Sequence, residues 1–241
     1  MIVNQDEHGW EIIYHRAHAL LAAQLGGHWN QKDSPTRLIE TVAAISHHDD
    51  LEREWEEQNL TPAGTPLDFT FEKTDLQKLK KHTLDARYRG RWVAMLISMH
   101  ASFLIEGMRG ESPQVDSFLD EQLQMQEQYR HSLQVTKEEA EQAYAFFQWC
   151  DRLSLILCLR QVPVGERALE IAKGPNGQRY DLVQMQDGRI NVTPWPFAEK
   201  EFTVNVEASY LSQVQFESSA ALAIVLQTAP IKTLEWTFAK T

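Results

Sequence analysis

Residues 146–160 read FFQWCDRLSLILCLR, a run of aromatic and aliphatic residues broken near its centre by Asp151. An ionised carboxylate in so apolar a helix is costly to bury unless a cation, an arginine or several donors satisfy it. The run is entered at Thr136 with Glu139 three residues on, a capping-box signature that predicts a helix continuing to about Arg160. Upstream, Ser112-Pro113 starts another helix, and a further one is expected from about Arg91 to Met108, with His100 inside WVAMLISMHASFL.

Toward the N-terminus, Ile12, Ile13, Leu20, Leu21 and Leu25 fall on one stripe of an expected opening helix that contains His18 and ends at Gly26-Gly27. A second helix is predicted from Ser34-Pro35, turning Leu38, Val42 and Ile45 inward and running into His47-His48-Asp49-Asp50. Residues from about 56 to 74 contain Pro62, Gly64 and Pro66, lack helical periodicity, and are expected to form a long connection. After Val162-Pro163 the composition changes. RYDLVQM, RINVTPW, EFTVNVEA, AALAIVLQ and TLEWTFA read as short strands separated by turn signals. The expected class is therefore α+β. A mainly helical bundle over residues 1–160 is followed by a small C-terminal β sheet or sandwich over 161–241, with Trp195 and Phe197 packing sheet against bundle.

Composition narrows the function. With 43% hydrophobic residues in 241, the chain can fill a proper core. No apolar run approaches the roughly 20 residues that span a bilayer, and MIVNQDEHGW lacks the basic start and apolar core of a signal peptide. No membrane association and a cytoplasmic location are expected. Cys150 and Cys158 lie about 12 Å apart along one predicted helix, too far to pair, and read as reduced, packed thiols. A net charge of −11 disfavours nucleic acid as partner. A small phosphorylated substrate needs only a few cations plus a metal, and a homo-oligomer is compatible with everything above. The sequence has no Gly-rich phosphate loop, no GxSxG and no cysteine nucleophile motif.

Ligand-grade residues inside apolar helices are the unusual feature: His18 in YHRAHALLAAQL, His48-Asp49 closing TVAAISHHDD, His100, and Asp151. A single helical histidine is more often a hydrogen-bonded core residue, and Asp151 has Arg152 or the RYRGR segment as alternative partners. A divalent metal bound by imidazole nitrogens and carboxylate oxygens would satisfy all of them together. Mn, Fe, Co, Ni, Zn or Mg each suit such a mixed set.

The order of these residues resembles the HD superfamily of metal-dependent phosphohydrolases: a helical His18, His48-Asp49 starting 30 positions on, and Asp151 a further 102 positions after Asp49. The resemblance covers about residues 10 to 160. It implies His18, His48, Asp49 and Asp151 as metal ligands, with Asp49 also serving the chemistry. His100 becomes a second-metal ligand or a proton donor to the leaving group. Glu52, three residues after Asp49, resembles the acid that handles the attacking water in some HD nucleotidases; it is equally a surface glutamate of the LEREWEEQ run. Arg87, Arg89 and Arg91 are expected to grip phosphate by forked hydrogen bonds, or else to form a solvated basic turn. The chain is also similar, through HHDD, SMHASFL, CDRLSLILC and VTPWPF, to a bacterial family known as a domain of unknown function. The β segment has no counterpart in a minimal HD domain. Two functions follow as expectations: a metal-dependent phosphohydrolase acting on a small phosphorylated compound such as a nucleotide, or a non-catalytic metal- or ligand-binding protein on an HD-like scaffold.

Overall fold

A computed structural model describes residues 1–51 and 59–241. The chain begins not with a helix but with a hairpin. Strands β1 (Ile2–Asp6) and β2 (Gly9–Ile13) pair antiparallel from Ile2↔Ile13 to Asp6↔Gly9. Gly9 sits at φ 149°, and a Cβ there would fall 2.0 Å from the Leu211 carbonyl oxygen, so this turn requires glycine. This corrects the opening stripe: Ile12 and Ile13 are strand residues, as β-branched side chains favour.

Helix α1 (His15–Gly27) follows directly, then α2 (Leu38–Ser46), α3 (Leu76–Asp85), α4 (Arg91–Ile105), α5 (Pro113–Leu133) and α6 (Lys137–Cys158). The α5 and α6 starts match their sequence signals. Ser112 accepts from the Val115 amide with Pro113 behind it, and Thr136 and Glu139 form the reciprocal capping box. The second helix begins later than Ser34-Pro35 predicts, because Arg37 adopts a left-handed conformation at φ 58° before Leu38. Helix α3 has no counterpart in the sequence reading; Asp75 caps it by accepting from the Gln77 and Lys78 amides.

The second half supplies β3 (Leu169–Lys173), β4 (Arg179–Gln184), β5 (Ile190–Thr193), β6 (Glu201–Leu211), α7 (Ser219–Thr228) and β7 (Ile231–Ala239). AALAIVLQ is thus helix, not strand. Its alanines and leucines favour helix, and Ser218 caps it by accepting from the Ala221 amide. The seven strands form one mixed sheet in the order β1-β2-β6-β7-β5-β4-β3, antiparallel throughout except where β5 meets β7 at Ile190↔Phe238. The N-terminal hairpin therefore belongs to the same sheet as the C-terminal strands, and the class is α+β.

Helices α1, α2, α4 and α6 pack on one another, while α1 also lies on β6 and α6 on β3. A buried polar lock joins the two layers. Glu11 on β2 is fully buried and accepts from Arg160 Nε (3.1 Å) and Nη2 (2.6 Å), Asn4 Nδ2 (3.0 Å) and the Tyr210 hydroxyl (2.5 Å). Asn4 Nδ2 also donates to the Cys158 carbonyl at 2.7 Å, fixing the end of α6 to the sheet. Glu11→Ala strips the acceptor from three donors, although half-exposed Arg160 can return to water. Denaturant unfolding is expected to show a loss of about 2 kcal/mol. A change under about 0.5 kcal/mol would mean that the lock is energetically neutral.

Candidate metal centre

Each of the four mutually packed helices delivers part of one polar cluster. His18 lies in the first turns of α1, and His48 and Asp49 stand in the turn that ends α2. His100 is on α4, and Asp151 is on α6. The α2 turn is held from outside. Asp50 takes Arg89 Nη2 at 2.8 Å and His47 Nδ1 at 3.0 Å, while Arg16 donates to the Asp50 carbonyl at 3.3 Å. Buried His82 of α3 hydrogen-bonds the His48 backbone.

Two triads of donor atoms result, His18/His48/Asp49 and His48/His100/Asp151, each with its atoms within 4.8 Å of one another and with His48 common to both. His18 and His48 are buried, whereas Asp49 and Asp151 keep 21% and 14% of their side chains exposed. The outer hydrogen bonds favour one tautomer for each imidazole, and for His48 a carbonyl partner requires it. Ser154 Oγ donates its proton to the Asp151 carbonyl at 2.8 Å, so at 2.9 Å it accepts from His18 Nδ1. His48 Nδ1 donates to the Ile45 carbonyl at 2.6 Å. In the neutral rings both Nε2 atoms are therefore left as lone pairs, and both face carboxylates. His18 Nε2 is 2.6 Å from Asp49 Oδ2; His48 Nε2 is 3.4 Å from Asp49 Oδ2 and 3.1 Å from Asp151 Oδ1.

Acceptors facing acceptors need a cation or extra protons between them. With protons, burial alone would lower the His48 imidazole, but Asp49 and Asp151 outweigh it and push it up to about 10. Burial likewise works against ionised Asp49, yet His48 and His18 hold it well below the usual carboxylate range. His100 moves the other way, pushed down to about 4 by burial and then by the charge on His48. With a metal, the same residues fit without extra protons. Metal–N and metal–O bonds of about 2.0–2.2 Å put neighbouring donors about 3 Å apart, close to the 3.1 and 3.4 Å contacts of His48 Nε2 with the two carboxylates, within triads whose atoms all lie inside 4.8 Å. Buried Asp151 Oδ1 has the His48 imidazole as its near partner at 3.1 Å, without well-aligned hydrogen-bond geometry, as suits an atom that shares a cation with that ring. Each of the two buried rings gives its other nitrogen to a hydroxyl or carbonyl, as metal-bound imidazoles do.

The family profile described as "Protein of unknown function (DUF3891)" matches residues 1–213. The chain belongs to the DUF3891 family. No curated protein and no solved structure matches it.

In this DUF3891 chain the cluster forms the floor of a cleft of about 290 Å³, which His100 also lines. The four expected ligands come together, but as two overlapping triads rather than one four-atom shell, with His100 completing the second. Asp151 pairs with His48, while Arg152 reaches Gln161 instead. Glu52 lies outside the described residues. The expectation that an arginine enters the cleft is not met. Arg87 donates to the Leu84 carbonyl, Arg91 to the Ser132 carbonyl, and Arg89 is taken by Asp50; all three are exposed and none lines the cleft. Among the described residues its lining lysines are Lys73 and Lys78. His15, one helical turn before His18, also lines it and packs edge-on against Phe69 at 4.8 Å. The i,i+3 spacings of His15 to His18 and of Asp151 to Ser154 were available in the sequence as signals. Nothing comparable marks the lysines. Trp195 and Phe197 stay away from the cleft; Phe197 packs on Trp29 and Trp149.

Proposed function

We propose that this chain is a metal-dependent phosphohydrolase acting on a small phosphorylated compound. The observation that carries the reading is the pair of donor triads sharing His48, with imidazole lone pairs fixed by Ser154 and Ile45 and aimed at two carboxylates beneath an open cleft. The order His18, His48-Asp49, Asp151 resembles that of HD phosphohydrolases, and this supports the choice of reaction. His18, His48 and Asp49 would hold one divalent cation; His100 and Asp151 offer further donors beside it, and the single free nitrogen of His48 can serve only one of the two triads at a time.

When bound, such a cation supplies Lewis acidity toward a phosphoryl oxygen. The protein's own share is positioning and charge. His100 Nδ1 faces the Tyr144 hydroxyl at 3.3 Å, which turns Nε2 toward the triad and suits a ligand better than a proton donor. The Asp50 contacts hold the His48-Asp49 turn in place. Hydrolysis adds one water across the ester: its oxygen bonds to phosphorus, the P–O bond to the alcohol breaks, and the alcohol leaves with a proton.

The protein purified without chelator is expected to carry a first-row divalent metal in elemental analysis. Reloaded with Mn(II), it is expected to hydrolyse at least one phosphomonoester in a broad panel, with activity abolished by chelation. Asp49→Ala should remove turnover. A loaded protein that turns over no phosphoester is instead a metal-bearing binding protein on an HD-like scaffold, a reading favoured by the placement of Arg87, Arg89 and Arg91 outside the cleft.

A further inference from the structure

We infer that the cleft takes a substrate with a single phosphoryl group and a compact apolar body, the anion being held by Lys73 and Lys78; this rests on the phosphohydrolase reading. The charge on the cleft sets the first half. Lys73 precedes α3 and half-buried Lys78 lies in its first turns, so both stand on the wall formed by the entry to that helix. Glu72 and Asp75 line the same wall, and Asp75 is already committed to the α3 cap. Among the described residues the lining holds Lys73 and Lys78 against four carboxylates, Asp49, Glu72, Asp75 and Asp151. With a divalent metal it therefore has no surplus positive charge for the three or four negative charges of a di- or triphosphate, and the smaller charge of one phosphoryl group fits it better. Arginines 87, 89 and 91 add nothing to this wall, since none of them lines the cleft.

The remaining lining sets the second half. Leu51, Phe69, Leu79, Leu104 and Leu155 line the space; outside the donor cluster and the charged wall its other polar side chains are His15 and Thr74, and among the described residues no Asn, Gln or Arg lines it. A nucleobase would leave its donors and acceptors against hydrocarbon, at a cost that a phenyl or alkyl group avoids. Leu104 is 51% exposed at the rim, positioned for a substrate's apolar body to cover. A volume of about 290 Å³ lies at the small end of the range for ligand sites.

The test is calorimetric titration of the Mn(II)-loaded full chain with inorganic phosphate, phenyl phosphate and AMP, with manganese content measured in every sample. Phenyl phosphate is expected to bind about tenfold or more tighter than inorganic phosphate, and AMP more weakly than phenyl phosphate. The double variant Lys73→Ala/Lys78→Ala should weaken phosphate and phenyl phosphate alike by about tenfold or more at unchanged manganese content. Leu104→Ser should narrow the gap between phenyl phosphate and phosphate while leaving phosphate binding as it was. The inference is overturned if AMP binds tighter than phenyl phosphate, if the double variant holds phosphate as well as the parent, or if no anion binds. Because binding is read without turnover, the expected pattern in a protein with no hydrolytic activity sinks the hydrolase reading alone. Hydrolysis that ignores the lysines sinks this inference alone.

Discussion

Asp151→Ala is expected to strip the protein of its metal while leaving the helices in place. Asp151 is the α6 contribution to the cluster, and its Oδ1 stands 3.1 Å from His48 Nε2, the atom shared by both donor triads. Losing a coordinating carboxylate removes both a ligand and a negative charge. Outer-sphere changes alone cost about 10–100-fold in metal affinity, so loss of an inner ligand should exceed about 100-fold. The fold should survive because the flanking residues Phe147, Cys150, Leu153 and Ser154 remain packed, and Asp151 itself keeps 14% exposure toward the cleft. Elemental analysis should find little divalent metal in the variant, with a far-ultraviolet circular dichroism spectrum matching the parent. Added metal should also stabilise the parent, by about 2.7 kcal/mol at a hundredfold excess over Kd, and raise its Tm while leaving that of the variant unchanged. Arg152→Ala, one residue along and turned to Gln161, should behave like the parent. An Asp151→Ala protein that purifies with a full complement of metal would remove the basis of the proposed function.

That Asp151 was visible at all comes from a local energetic conflict. A carboxylate amid Phe146, Phe147, Trp149 and Leu153 cannot be explained by the helix that carries it, so it announces a partner elsewhere. His18, His48 and His100 carry the same signal more weakly, and four packed helices bring them together. Features without such a conflict were not legible. Lys73 and Lys78 sit in polar sequence where lysine is unremarkable, and only the folding of α3 against the bundle turns them to the cleft. The arginines misled for the opposite reason, since a dense cation run says nothing of direction, and Arg89 is spent on Asp50. The same division holds for the fold. Helices with caps were readable, as at Thr136 and Ser112. The first hairpin was not, because Ile12 and Ile13 fit a helical stripe continued from α1, and what makes them strand is pairing. Ile12 pairs with Ser209 of β6, nearly two hundred residues away. AALAIVLQ failed similarly: a short apolar run has no period that separates strand from helix, and the Ser218 cap was the overlooked evidence.

The largest loss of stability should follow from Trp29→Ala. Trp29 leaves the end of α1 with 1% exposure and meets Phe146 and Trp149 of α6 edge-on, with ring centroids 5.2 and 4.8 Å away. On the sheet side it touches Tyr180 of β4 at 5.7 Å and Phe197, between β5 and β6, at 6.3 Å. Its backbone also forms a bridge with Phe197. One side chain thus ties the helical layer that carries the metal ligands to the sheet made from both ends of the chain. Neither layer can close over the hole alone, because each is braced by its own hydrogen-bonded elements. Truncation of a buried tryptophan of this kind costs about 3–5 kcal/mol. For a chain of this length that should lower Tm by about 10 °C. Since the ring bridges both layers, helix ellipticity and aromatic signals are expected to fall together in a single transition shifted as a whole. Ile39→Ala, at an 85% exposed position of α2, should leave Tm unchanged within about 2 °C and serves as the control. A Trp29→Ala protein that loses less than about 1 kcal/mol, or that melts in two separated steps with the helices unaffected in one of them, would show that the aromatic cluster is not what couples bundle to sheet.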